Sequence, residues 1–317
     1  MSRHGFIPRI HLKPEFQADD AKYIVNLWLM MKAGKNNVEE FDEQYLIAQY
    51  SNELDTFATV EDIVKVIQSY VEKIESPSKL SGWILSLQNI VESEWCKIPE
   101  YKMEENRLCS SDNSEPPLAI VHYLNHISPQ LCGYYFENTL AYCLHGLSET
   151  DWQVQLCGLE TVISFSKDDQ LLIEKLCPES TVGQILLQTI KQYIAKQINI
   201  DTYASIYNFI DAVKSNETEI SKYIYSLSTT GYVQRYKSYK EIQHSVDIEG
   251  RYRGLYQHGE MDFIIGNTII DAKACKNIHL QQWLLQMNIY REIYDSRINK
   301  MEIVSFLNNK IYHFTLI

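Results

Sequence analysis

The sequence predicts an α+β or α/β chain in which a helical N-terminal two-thirds is followed by an antiparallel, sheet-rich C-terminal region. Three observations lead there. Apolar residues recur at helical spacing as far as Tyr225. After Thr229-Thr230-Gly231 the pattern shortens to alternating, strand-like runs. Gly266-Asn267 and Asn308-Asn309 each separate two such runs, as hairpin turns do.

Taken in order, Ala21 to Lys35 reads as a helix with Ile24, Leu27, Trp28 and Met31 on one face. Thr59 to Ile74 is a second, started by Thr59 with Glu61 and Asp62 in the first turn, where the helix dipole favours acids. Glu75-Ser76-Pro77-Ser78 separates it from a third, Ser81 to Glu94. Pro99 to Pro117 is polar, contains Ser110-Ser111-Asp112-Asn113-Ser114, and reads as a linker that closes a helical region over residues 1–117. Leu118 to Leu147 is helical with an interruption near Ser128-Pro129. Asp151 to Tyr225 is mainly helical, with breaks near Lys167-Asp168-Asp169, Pro178 and Lys214-Ser215-Asn216. Strands are expected over Tyr239 to Ile248, Leu255 to Ile265 and Thr268 to Ala274. A strong helix, Ile278 to Asp295, precedes a final hairpin of Met301 to Leu307 and Lys310 to Ile317. The second region thus spans residues 118–317, with a helical stretch at about 150–225 inside it.

Composition narrows the class. The 317 residues are 45% apolar, enough for a sizeable core in one large domain or two modest ones. The net charge of −12 weighs against a protein coated in duplex DNA, though basic residues are unevenly spread. The seven cysteines (Cys96, Cys109, Cys132, Cys143, Cys157, Cys177 and Cys275) form no C-x-x-C pair, so neither a disulfide framework nor a zinc ribbon is expected. Met1 to Gln17 is polar and broken by prolines, unlike a signal peptide, and no apolar run is long enough to span a bilayer. An intracellular chain with reduced thiols and no membrane contact is the expectation.

The chemistry concentrates in residues 259–290. With Gly266-Asn267 as the turn, Ile265 pairs with Thr268, so Asp262 falls opposite Asp271 and Glu260 opposite Lys273. Side chains alternate along a strand, so these four project from one face, while Met261, Phe263, Ile265, Ile270 and Ala272 project from the other as core. Directly opposed carboxylates have Cβ atoms roughly 5 Å apart. At an effective dielectric near 20 they repel by about 3 kcal/mol. A divalent cation between them would remove that repulsion, and carboxylate oxygens suit Mg²⁺ or Mn²⁺. Lys273 points at the same place, suited to positioning a water or neutralising a scissile phosphate. Gln286 and Tyr290 follow on one face of the next helix at i,i+4 spacing.

Gly259-x-x-Asp262, Asp271-x-Lys273 and Gln286-x-x-x-Tyr290 together resemble the signature of the PD-(D/E)XK nuclease superfamily, and within it the RecB/Cas4/lambda-exonuclease-like branch. That branch adds a helix carrying a glutamate, a slot matched by Gly133-Tyr134-Tyr135-Phe136-Glu137. The resemblance covers roughly residues 120–317 and implies a mixed central sheet flanked by helices, a restriction-endonuclease-like core. It implies Asp262 and Asp271 as metal ligands, joined by Glu137 and the Ala272 carbonyl. It implies Lys273 as the catalytic lysine, and Gln286 and Tyr290 as residues facing the site or the nucleic-acid backbone. Two features depart from the family pattern. The scattered cysteines form no iron–sulfur cluster, and His122, His126, His244 and His258 are candidate stand-ins for the histidine that some members place before the first acid, none of them matching its position well. Gln282 offers a second register for the helix glutamine.

Arg235, Lys237, Lys240, Arg251, Arg253, Lys273 and Lys276 interleave with Tyr232, Tyr236, Tyr239, Tyr252 and Tyr256, a mixture suited to phosphate contact and base stacking. A solvated, cation-guarded strand edge is the other reading of it. The expected function is a Mg²⁺- or Mn²⁺-dependent nuclease acting by in-line attack of water on phosphorus, with DNA favoured over RNA by family analogy. The N-terminal helices are assigned to gating substrate or binding a protein partner. Two alternatives stay open at this stage: an inactive PD-(D/E)XK-like module that binds nucleic acid or protein, and a helical interaction protein.

Overall fold

A computed structural model of the chain describes residues 24–26, 28–29, 32, 43–54, 56–57, 60–71, 82, 98–109, 129–147, 166–196, 202–252 and 255–317. Helices α1 (Glu43–Leu54) and α2 (Val60–Val71) precede strand β1 (Tyr101–Arg107). Six helices follow: α3 (Pro129–His145), α4 (Lys167–Leu176), α5 (Thr181–Lys196), α6 (Thr202–Ser215), α7 (Glu217–Ser228) and α8 (Gly231–Lys237). Strands β2 (Ile242–Tyr252), β3 (Leu255–Ile265) and β4 (Thr268–Lys273) lead to α9 (Leu280–Tyr294). Strand β5 (Lys300–Ser305), a 3₁₀ turn (Phe306–Asn308) and β6 (Lys310–Leu316) close the chain.

The strands make one six-stranded mixed sheet in the order β1-β6-β5-β4-β3-β2, which together with the helices defines an α+β fold. Pairs β1–β6, β5–β6 and β3–β4 are antiparallel. Strands β4 and β5 are parallel, which corrects the expectation of an antiparallel C-terminal region; α9 lies between them in the chain and supplies the long connection that parallel neighbours require.

Local chemistry accounts for several elements, and corrects some expectations. The boundary expected near Lys167-Asp168-Asp169 falls at Ser166, and these three residues form the first turn of α4. Ser166 Oγ accepts from the Asp169 N–H at 3.1 Å, and Asp169 Oδ2 accepts from the Ser166 N–H at 3.2 Å, a reciprocal capping box. Helix α8 also lies outside the expected elements; Thr230 caps it by accepting from the Val233 N–H. Most consequential is β1. Tyr101–Arg107, expected inside a linker, is a strand registered against β6 from Tyr101↔Leu316 to Arg107↔Lys310. Helix α1 was likewise not foreseen. Leu27, Met31, nearly all of Ser81 to Glu94, residues 110–128 and residues 151–165 lie outside the described residues.

The chain divides into two compact units. The first comprises Met1–Pro99, Asp247–Glu260 and His279–Arg297. In it, Trp28 is fully buried and meets Tyr50 and Phe57 edge-on at 6.0 and 5.5 Å between ring centroids. Ile63 and Ile67 of α2 are buried at i,i+4 spacing, as the apolar pattern predicts.

The second unit comprises Glu100–Val246, Met261–Ile278 and Ile298–Ile317. Its core joins α3, α5, α6, α7 and α8 to one face of the sheet, represented by Phe263, Ile265, Ile270, Val304 and Ile311. Phe136 of α3 stacks on Phe306 at 5.0 Å. A buried carboxylate ties α8 to the sheet: Glu302 Oε1 accepts from Arg235 Nη2 at 3.0 Å and lies 2.8 Å from His313 Nδ1, its cross-strand neighbour. Burial pushes the Glu302 carboxyl up, but hydrogen bonds from His313 and Tyr236 and the charges of His313 and Arg235 outweigh that and hold it below its usual range. Among the described residues no helix is long and apolar enough to cross a membrane. Cys109, Cys132, Cys143, Cys177 and Cys275 are free thiols.

Candidate metal and nuclease site

The turn at Gly266-Asn267 forms as the residues suggest, with Gly266 at φ +56°, a conformation that favours glycine. The register Ile265↔Thr268, Ile264↔Ile269, Phe263↔Ile270 follows from it. One step further out, the ladder gives way to a side chain. A continued ladder would direct the Ala272 N–H at the Met261 carbonyl. Instead Asp262 Oδ2 accepts it at 2.6 Å. The Asp262 carboxylate is thereby drawn across to β4, next to the acid and the lysine that this strand carries.

On β4, Asp271 is buried and Lys273 Nζ stands 2.7 Å from its Oδ2. The two form a close ion pair in largely buried surroundings. Ile264 and Ile269 are buried as well as Phe263, Ile265 and Ile270, so the hairpin is covered on both faces rather than on the core face alone.

Glu137 enters from α3 and is 6% exposed, not a solvated helix residue. Its Oε1 collects three polar groups: Gln192 Nε2 at 3.2 Å, Ser245 Oγ at 3.2 Å and His244 Nε2 at 2.9 Å. His244 and Ser245 are consecutive on β2, where alternation would send them to opposite faces. Ser245 has φ +52°, a left-handed conformation uncommon outside glycine. That local break in the strand lets both side chains reach one carboxylate oxygen. The His244 ring also stacks on Phe263 at 4.7 Å, which fixes its plane.

Electrostatics ties the three acids together. The Asp262 carboxyl is pushed well above the usual carboxylate range, first by burial, then by the Glu137 charge, then by Asp271. Lys273 and the Ala272 N–H oppose the shift without cancelling it. A carboxyl raised in the folded chain costs stability as pH climbs from its unfolded pKa of about 3.9 towards the raised value, because the native state then binds more protons than the unfolded one. Asp262→Asn removes that titration while its amide oxygen still accepts the Ala272 N–H. Metal-free Asp262→Asn should melt a few degrees above wild type near neutral pH, and the gap should close as the buffer is acidified towards about pH 4. A gap that stays the same at both ends of that pH range would show that this titration plays no part.

Hard oxygen donors around a repelled, buried acid suit Mg²⁺ or Mn²⁺ better than a soft metal. The Ala272 N–H is the backbone group that the structure shows at the site. Among the described residues, no three His, Cys, Asp or Glu side chains already stand as a metal cage.

Gln286 and Tyr290 belong to the first unit, on α9. Both are buried, and Gln286 Nε2 donates to Tyr290 Oη at 2.6 Å, the contact that i,i+4 spacing allows. Of the tyrosines expected to stack on bases, Tyr232, Tyr236 and Tyr252 are buried, which corrects that reading; Tyr239 is exposed. Arg235 is engaged by Glu302 and lies over the Tyr236 ring at 4.6 Å, while Lys237, Lys240, Arg251 and Lys276 are exposed. Gln192, His244 and Ser245 were not singled out as site residues by spacing. His244 lies 107 residues from Glu137 in the chain, and no local pattern connects them. No protein-family model matches the chain, and neither does any curated protein or solved structure.

Proposed function

We propose that this chain is a metal-dependent nuclease of the PD-(D/E)XK type, hydrolysing phosphodiester bonds, with DNA favoured by family analogy. The observation that carries the reading is the Asp271–Lys273 ion pair on β4, with Asp262 of β3 drawn onto the same strand by the Ala272 N–H and the Glu137 charge acting on Asp262. Burying three interacting acids is costly unless something positive is meant to join them. In this reading the mixed sheet and its helices are a restriction-endonuclease-like core. Asp262 and Asp271 would hold Mg²⁺ or Mn²⁺, with Glu137 and the Ala272 carbonyl as further ligands. When bound, such an ion acidifies a water and offsets charge on the phosphate. Lys273, kept beside Asp271, holds the negative charge of a phosphate oxygen and orients the attacking water. Gln286 and Tyr290, buried on α9, are the residues that the resemblance assigns to the nucleic-acid backbone.

A second reading has its own observation. Lys273 already pairs with Asp271, and the described residues contain no preformed cage, which favours a module that binds nucleic acid or protein without cutting. End-labelled single- and double-stranded oligonucleotides, DNA and RNA, separate the two. Cleavage in Mg²⁺ or Mn²⁺ that EDTA abolishes is the expected result. Binding without cleavage supports the second reading, and neither binding nor cleavage removes both.

A further inference from the structure

The helices between the Glu137 helix and the sheet have no role in the chemistry outlined above, yet one of them reaches it. Helix α5 presents Gln192, 7% exposed, between two residues of α3. Asn138 Nδ2 donates to Gln192 Oε1 at 2.6 Å, and Gln192 Nε2 donates to Glu137 Oε1 at 3.2 Å. The order of these bonds is enforced. Asn138 Nδ2 also donates to the Tyr134 carbonyl at 2.8 Å, so the Asn138 amide is fixed with its N–H groups outward. Gln192 must then offer it the carbonyl end, which leaves only the NH₂ end for Glu137. Thr189, one turn earlier on α5, bonds back to the Ile185 carbonyl and stands 3.4 Å from Asn138 Nδ2, closing the network.

We propose that Gln192 is a positioning residue for Glu137, and that the helical insertion is thereby a working part of the metal site. The inference rests on the nuclease reading for its metal and on the hydrogen bonds alone for its geometry. Gln192 touches neither β3 nor β4 in this network; it acts by holding the glutamate that does the work beside Asp262. Ligand-supporting groups of this kind typically change metal affinity about 10–100-fold when removed.

The test uses Gln192→Met, which keeps the volume and removes both bonds. Gln188→Met is the control, since Gln188 lies one turn earlier on the same helix and is equally buried at 8% exposed. Mn²⁺ binding to the full chain is read by electron paramagnetic resonance without substrate, alongside a metal-free crystal structure of each variant. The expected result is an Mn²⁺ dissociation constant raised about tenfold in Gln192→Met and unchanged in Gln188→Met, with the Glu137 carboxylate displaced from His244 only in the former. Equal Mn²⁺ affinity with Glu137 in place would overturn the proposal. So would a loss of affinity shared by Gln188→Met, since that marks general loosening of α5. If wild type binds no Mn²⁺ but Gln192→Met still displaces Glu137, the nuclease reading fails and the positioning role stands.

Discussion

Asp271→Ala and Lys273→Ala should each reduce metal-dependent cleavage by about 10³-fold or more, with the fold intact. The reasons differ. Asp271 is the buried acid 2.7 Å from Lys273 Nζ, so under the proposed function its removal deletes a metal ligand, and the ion pair with Lys273 goes with it. The loss should appear chiefly as weakened Mn²⁺ or Mg²⁺ dependence, partly recovered at high metal concentration. Lys273 carries the one side-chain charge shown to lower the Asp262 pKa. Its removal takes a positive charge away from Asp262 and Asp271, so metal binding should hold or tighten while kcat collapses. Steady-state kinetics over a metal titration reads both patterns. Retention of cleavage by either variant, in protein freed of contaminating nuclease, would sink the catalytic assignment.

Phe306→Ala should destabilise the second unit by about 3–5 kcal/mol. The ring is fully buried and stacks on Phe136 at 5.0 Å, so truncation removes its own burial and strips one face from a second aromatic ring. Against a typical total stability of about 5–15 kcal/mol, that is a large share. Phe136 immediately precedes Glu137, so the cavity should also loosen α3 where it presents the site's acid. Urea unfolding should show a lower midpoint with little change in slope. An unchanged midpoint would mean that the stacked pair contributes no more than exposed rings do.

The elements that could be read from sequence are those whose signal is local. Strand β3 lies over Leu255–Ile265, the span its alternation predicts, and α9 and β6 fall within two residues of expectation. The break near Pro178 and the junction at Lys214-Ser215-Asn216 separate helices as expected. Strand β1 could not be read this way. Its seven residues are all exposed, so no apolar face marks it, and it exists because β6, about two hundred residues later, offers a free edge. Asp168 and Asp169 mark a helix start: residues that disfavour a helix in its middle favour its first turn when a serine precedes them.

The candidate site divides along the same line. Sequence alone determined the first three pairs of the β3–β4 hairpin and the closeness of Asp271 to Lys273, because a two-residue turn and a period of two leave little freedom; the expected pairs Asp262 with Asp271 and Glu260 with Lys273 lie beyond the observed register. Only the tertiary structure decided that Glu137 is buried with its charge acting on Asp262, that a left-handed Ser245 lets His244 reach Glu137, and that Gln192 holds Glu137 from the helical insertion. Those relations depend on how helices pack on a sheet. Packing is set by the sum of many weak contacts between residues distant in the chain, and no single spacing encodes it.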